Sequence, residues 1–426
     1  MTTITVSTAL STFDQLESAA RSYCRGFRHV LTSAAGSIVR DSTGREYIDF
    51  LANAGALNYG HNDPDLKAAL IDYLLEDGIT ASLDLHTNVK ADFLATFDQL
   101  ILAPRGLDYR VQFTGPTGTN AVEAALKLAR KVTGRTNVIA FTNAFHGVTA
   151  GSLAATASSH HRMGPEQGLH GITRMPYEGF MGAGFDTSEY LHRMLHDPSS
   201  GIDRPAAIIL ETVQGEGGLN VASTPWLQRI AGIAREHGAL LIIDDVQAGC
   251  GRTGSFFSFE GQGVTPDLVV LSKSLSGFGL PMALLLMRPD IDIWSPGEHN
   301  GTFRGNNHAF VTATAALRKF WSDAAFTADV ARRSGMVRRS LAEIAEVTPA
   351  AHVKGRGMMQ GIDMGDSARA ASIRQRCVER GLLIECSGSW DEVVKVMAPL
   401  TTPDDLLEAG LTILAGAVAD EYRQLV

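Results

Sequence analysis

The stretch from Leu240 to Lys273 constrains the fold more tightly than any other. Four apolar residues, Leu240-Leu-Ile-Ile, run straight into Asp244 and Asp245, and a second run, Leu268-Val-Val-Leu, ends at Ser272-Lys273. Short apolar runs without alternation suit parallel strands buried on both faces, and open α/β sheets place their ligands beyond the carboxyl ends of such strands. The two runs therefore predict one carboxylate and one amine facing a common crevice. A lysine just past a strand is more often a solvated surface residue, and a strand ending in Asp is common in any α/β protein. Together they are the minimal equipment for pyridoxal phosphate, with Lys273 to form the Schiff base and Asp244 to pair with the pyridinium nitrogen.

Other segments supply parts for the same crevice. Val111-Gln-Phe leads through Thr-Gly-Pro-Thr-Gly118-Thr119-Asn into Ala121 to Arg130, a strong helix former. A glycine-bearing loop at a helix amino terminus offers unpaired N–H groups and the positive end of the helix dipole, so Gly118 and Thr119 are the expected phosphate cradle. Asn137 to Phe141 and Ala206 to Leu210 read as further short buried strands, the second ending at Glu211, and Met282 to Met287 as another. Strands alternating with helical segments imply a mainly parallel sheet covered on both sides.

Towards the amino terminus, Thr12 to Cys24 reads as a short helix, and Gly36 to Asp41 with Glu46 to Phe50 as a hairpin whose turn contains Gly44. The loop from Leu51 to Pro64 places Tyr59 and His61 as possible substrate contacts, with a helix beginning near Pro64. Beyond Lys273, a long helix is expected from His308. Strands are then expected at Gly355 to Asp363, Gly381 to Glu385 and Val393 to Met397.

Composition narrows the function classes. In 426 residues, 45% are hydrophobic and 19% charged, and the net charge of -9 leaves no electrostatic footprint for nucleic acid. Four scattered cysteines lack metal spacing, which favours reduced thiols, and no metal is expected. No apolar run approaches the roughly 20 residues that span a bilayer, and Met1 to Val6 lacks the features of a signal peptide. A cytoplasmic enzyme acting on small molecules is the expectation.

Phe113-Thr-Gly-Pro-Thr-Gly-Thr-Asn-Ala-Val-Glu, Phe145-His146-Gly147, Glu211-Thr-Val-Gln-Gly-Glu216, the Asp244 and Lys273 strands and Gly301-Thr302 follow one another in order. From about Gly36 to Leu400 the chain resembles the class III pyridoxal-phosphate aminotransferases, the ornithine and ω-amino acid group. The resemblance implies fold type I, an α/β large domain with a mainly parallel seven-stranded sheet covered by helices. A smaller α+β domain from both termini completes it, with boundaries at 1–55, 56–315 and 316–426. It implies pyridoxal phosphate held by Gly118, Thr119, Phe145, His146, Glu211, Asp244, Val246, Gln247 and Lys273. Phe145 and Val246 would cover the ring faces, Gln247 would hydrogen-bond the phenolic oxygen and His146 would border the substrate. It further implies a homodimer or dimer of dimers with shared active sites, where Thr302 reaches the neighbouring subunit's phosphate. An aminomutase on the same scaffold is the competing reaction type.

For substrate contacts the resemblance points to Tyr59, Glu216 and Lys395. Ornithine-type enzymes carry an arginine before an Ala-Pro-Pro-Leu segment, which binds glutamate's α-carboxylate and is paired by a glutamate when a distal amine must react. Here the segment reads Val394-Lys395-Val-Met-Ala-Pro-Leu400. A lysine supplies a point charge without the bidentate fork. Glu216 and Lys395 are expected to form an ion pair that opens and closes over the substrate.

Overall fold

The computed structural model describes residues 6–164 and 168–423. Residues 1–5, most of the stretch used to argue against a signal peptide, lie outside the described residues. Helix formation begins earlier than expected, at Val6–Leu16, and Tyr23–Gly26 forms a separate single turn. The expected continuous helix to Cys24 is therefore broken, with Ser18 to Ser22 non-helical between the two pieces.

The hairpin near Gly44 forms as expected. Three strands, β1 (Leu31–Ala35), β2 (Ile38–Asp41) and β3 (Glu46–Asp49), pair antiparallel, and Gly44 turns between the last two with a positive φ of 85°. Asp63 then caps the helix Pro64–Leu75 by accepting from the N–H groups of Asp65 and Leu66.

The centre is a seven-stranded sheet of β4 (Arg110–Phe113), β5 (Val138–Phe141), β6 (Ile172–Met175), β7 (Ala207–Leu210), β8 (Leu240–Asp244), β9 (Leu268–Leu271) and β10 (Leu284–Met287). Its spatial order is β4-β10-β9-β8-β7-β5-β6, and only β10 runs against the rest. Every residue of β5, β7, β8, β9 and β10 is buried, which is why these strands read as unbroken apolar runs. The helix Gly118–Thr133 lies on one face. Arg130 and Lys131 sit in its last turn and Gly134 closes it with φ 66°.

The carboxy-terminal part follows the long helices Asn307–Phe320 and Ala325–Glu346. Within Gly355 to Asp363 the strand expected after a glycine turn forms as β12 (Met359–Asp363), and it pairs antiparallel with an earlier strand that was not expected, β11 (His352–Arg356). Gly357 makes the turn with φ 66°, and a Cβ there would lie 2.5 Å from the backbone carbon of Thr253. Gly381 to Glu385 divides. Leu382–Leu383 is β13, parallel to β3, while β14 (Glu385–Ser387) pairs antiparallel with β15 (Val393–Val396), which pairs with β12. The chain changes sheets at Ile384. Arg252, with no exposed surface, joins the sheet edge to these later segments by donating to Asn58 Oδ1 (3.1 Å) and the Met358 carbonyl (3.2 Å).

Candidate active site

The loops beyond the carboxyl ends of β4, β5, β7, β8 and β9 converge on a cavity of about 350 Å³ lined by Gly118, Thr119, Phe145, His146, Glu211, Glu216, Asp244, Val246, Gln247 and Lys273 among others. This is where an open α/β sheet presents its ligand site. Sequence spans of more than a hundred residues are brought together here by sheet order alone.

Lys273 stands two residues beyond the end of β9, in the left-handed region with φ 51°. For a residue with a Cβ this conformation costs about 1 kcal/mol or more and persists where the surroundings fix it. Its Nζ donates to the Ala54 carbonyl at 2.8 Å. Ala52, Asn53 and Ala54 are themselves left-handed, with φ 46°, 50° and 55°, which turns that carbonyl inward. Burial lowers the Lys273 pKa and the nearby Lys395 adds to this, against the pull of Glu216. The amine is thereby eased towards its neutral, nucleophilic form.

Asp244 ends β8. Its Oδ1 accepts from the Val246 N–H at 3.1 Å, and its Oδ2 lies 2.7 Å from His146 Nδ1. The His146 side chain has no exposed surface. Burial opposes its protonation, but the Asp244 hydrogen bond and charge, with Glu211 behind, raise its pKa above the ordinary histidine value. His146 thus stands behind the carboxylate.

Glu211 is a staple. Its Oε1 accepts from the Phe145 N–H and its Oε2 from the Gly215 N–H, each at 3.0 Å, so one carboxyl fixes both the Phe145 loop and the loop carrying Glu216. Burial, chiefly, pushes its pKa up to about 7.

The helix start at Gly118 has the form of an anion cradle. Thr117, the N-cap, makes no side-chain cap, so the first N–H groups have no partner within the helix. A Cβ on Gly118 would lie 3.0 Å from both Val246 methyl carbons. Thr119 Oγ1 is 2.9 Å from Thr149 Oγ1. The neighbouring helix start at Ala150 is already satisfied, since Glu123 Oε1 accepts from Gly151 N–H (2.8 Å) and Ser152 N–H (3.1 Å).

At the cavity wall Lys395, fully buried, lies 3.2 Å from Glu216 Oε1 and 2.9 Å from Glu385 Oε1. Gln247 Nε2 also donates to Glu216 Oε1 and to the Ala54 carbonyl, both at 3.1 Å, while its buried Oε1 has no partner. Burial would raise the Glu216 pKa, but Lys395 and Lys273 hold it down at about 2. Lys395 is raised by its two carboxylates against burial.

Three expected site residues stand off this cavity. Tyr59 is a core residue. Its ring stacks on Phe320 at 4.6 Å, its hydroxyl accepts from Trp321 Nε1 at 2.8 Å, and it is 4% exposed. Thr302 lies in a short turn, exposed and off this cavity. His61 is bound to Asp49 Oδ2 at 2.8 Å and bridges to Gly36 through the backbone, a loop-fixing role. Sequence reading missed Glu385, the Ala54 carbonyl and Tyr23, a residue 55% exposed whose phenol is raised by the charges of Glu216 and Glu385.

The cavity fits pyridoxal phosphate on its own terms: an uncapped helix start for a dianion, a buried carboxyl group bonded to His146, a buried unpaired acceptor on Gln247 and a desolvated lysine. The class-III aminotransferase family model matches residues 20–418. The chain belongs to the class-III aminotransferases, and its cofactor is pyridoxal phosphate. It is 54% identical over 98% of its length, and 99% of the relative's, to a diaminobutyrate–2-oxoglutarate transaminase of Halalkalibacterium halodurans. Another enzyme of that name, from Halomonas elongata, is 53% identical over 94% of this chain and 96% of its own. Among solved structures, ornithine aminotransferase of Toxoplasma gondii superposes with a TM-score of 0.85 at 25% identity, covering 99% of this chain and 96% of that one. An S-selective transaminase from Arthrobacter sp. shares the fold at TM-score 0.87 and 21% identity, covering 98% of both chains.

Proposed function

We propose that the enzyme transfers the amino group of L-glutamate to L-aspartate 4-semialdehyde, giving L-2,4-diaminobutyrate and 2-oxoglutarate. The observation that carries this reading is near-full-length identity above half to relatives that bear the diaminobutyrate–2-oxoglutarate name. The loop Leu57-Asn-Tyr-Gly-His-Asn and the segment His299-Asn-Gly-Thr-Phe-Arg-Gly-Asn-Asn support it.

Pyridoxal phosphate, when bound, supplies an electrophilic carbon for amines and an electron-withdrawing ring. Gly118 and Thr119 would hold its phosphate, and Phe145 and Val246 would cover the ring and exclude water. Asp244, held in place by His146, would hold a proton on the ring nitrogen. Gln247 would hydrogen-bond the phenolic oxygen. Lys273, free of its tie to Ala54 and desolvated, removes the proton from the substrate carbon next to the amine and delivers it at the other end of the shift. Glu216 pairs with Lys395 while a distal amine reacts, and releases it when glutamate's α-carboxylate needs a cation.

The likeness to an ornithine aminotransferase favours, as the second reading, another ω-aminotransferase acting on ornithine, acetylornithine or 4-aminobutyrate. We further infer a homodimer, or dimer of dimers, in which Thr302 reaches the partner's phosphate. Exposed Phe303 and Leu85, at 68% and 66%, beside that turn support a contact surface there. The division at residues 55 and 315 and a cytoplasmic location complete the reading. Absorbance of the bound cofactor, followed in single turnovers over a panel of amines, tests the substrate. Discharge by both L-glutamate and L-2,4-diaminobutyrate is expected. Discharge by ornithine or 4-aminobutyrate with no response to diaminobutyrate would replace this reading by the second.

A further inference from the structure

Lys395 has two carboxylate partners, and they differ in kind. Glu385 and Lys395 are directly opposite one another across the antiparallel pair β14 and β15, so the backbone register sets their contact. Glu385 is 8% exposed at the side chain and Lys395 is wholly buried. Glu216 reaches Lys395 from a loop, lines the cavity and keeps 30% of its side chain exposed. One partner is built into the sheet behind the lysine, and the other stands between the lysine and the substrate.

This arrangement changes what Lys395 offers. A lysine with only Glu216 would become an uncompensated buried cation whenever Glu216 moved aside, at a cost of several kcal/mol. With Glu385 in place, the charge of Lys395 is already answered from behind. Glu216 and Glu385 bring two carboxyl groups to the single ammonium of Lys395, and although burial raises the Glu385 pKa, Lys395 draws it back towards the anion. Tyr23 adds no charge as a neutral phenol, and Lys273 is eased towards neutrality. The wall of the cavity is therefore biased against an incoming carboxylate and towards an incoming ammonium.

We propose that Glu385 is a specificity-determining residue: acting through Lys395, it discounts the cation available to α-carboxylates and tilts the site towards substrates that react through a carbon bearing an amine but no carboxylate. The inference rests on the reading of Glu216 and Lys395 as the α-carboxylate gate. Glu385 need not touch substrate, so it is a positioning and charge-setting group.

The test uses holoenzyme and three ligands: L-glutamate, L-2,4-diaminobutyrate and glutarate, a dicarboxylate that has no amine to react. For Glu385→Gln, a charge removed at close range in a partly desolvated site should tighten L-glutamate and glutarate by about tenfold and weaken diaminobutyrate by a similar factor. Saturating single-turnover rates should change little. Glu385→Asp keeps the charge and should restore the parent's preference. Glu385→Met, uncharged and of similar length, gives a second variant with the same expected direction should the glutamine variant fold poorly. Equal weakening of all three ligands, unchanged glutarate binding, or an aspartate variant that behaves like the glutamine one would overturn the proposal. If the parent enzyme does not react with diaminobutyrate, the substrate reading fails, and glutarate and L-glutamate still decide the role of Glu385.

Discussion

Gly118→Ala isolates the cavity wall at a single methyl group. Gly118 is the first residue of its helix and has no positive φ, so alanine is conformationally acceptable and, as a helix former, up to about 1 kcal/mol better. The cost comes from packing. The new Cβ would sit 3.0 Å from both Val246 methyls and 3.6 Å from its Cβ, several tenths of an ångström inside ordinary contact. Without cofactor, Val246 borders open cavity and can recede, so the melting temperature of the apoenzyme should hardly move. With cofactor, the ring is expected in the space into which Val246 would recede, and overpacking of this kind costs about 1–3 kcal/mol. Pyridoxal phosphate should therefore bind about tenfold more weakly, read by fluorescence titration of apoenzyme. Val246→Ala removes both clashing methyls, so adding Gly118→Ala to Val246→Ala should cost little further affinity. Unchanged affinity in Gly118→Ala, or a double variant whose losses simply add, would refute the placement of the ring against the far side of Val246.

Tyr59→Phe leaves the buried Trp321 indole N–H without its acceptor and should cost about 1–3 kcal/mol in urea unfolding while KM values stay at the parent's; a KM shift would return Tyr59 to the substrate site. Glu216 is depressed from 4.5 to about 2, so its ionised form contributes stability above pH 4.5 that is lost as pH falls towards 2. Glu216→Gln should accordingly be less stable than the parent at pH 6, with the gap narrowing as acid is added; a gap independent of pH would show that the carboxylate is not held by Lys395. Thr302→Ala should weaken cofactor binding without touching the cavity's own walls, and sedimentation of an active, cofactor-saturated monomer would exclude the shared-site dimer.

Much of the site was legible because it lies at the ends of apolar runs. Leu240 to Asp244 and Leu268 to Leu271 are buried on both faces, so their composition marks them as central strands, and sheet geometry then obliges Asp244 and Lys273 to share an edge. Gly118 was legible only in company, since a glycine loop before a helix also serves plain helix entry and gained its meaning from following a strand in a chain with a Schiff-base lysine candidate. Glu385 was not. It looked like the last residue of a strand from Gly381, because nothing local marks Ile384 as the point where the chain passes from one sheet to another. Its partner Lys395 is fixed only by the β14–β15 register. Tyr59 misled for the opposite reason: a polar aromatic in an active-site loop suits a substrate contact, but long-range stacking on Phe320 and the Trp321 hydrogen bond claim it for the core. The turn at Gly357 was legible from its glycines, but the strand before it, His352 to Arg356, was not, because it carries no apolar run.

The central claim is that Lys273, at the end of β9, is the residue that bonds to the cofactor. Borohydride reduction of the holoenzyme, followed by proteolysis and mass spectrometry, reads that bond directly. The expected result is one pyridoxyl phosphate per chain on the peptide containing Lys273, and no labelling of Lys273→Ala. A label on Lys395 or any other lysine, or an unreduced Lys273 peptide beside a bleached cofactor, would contradict it.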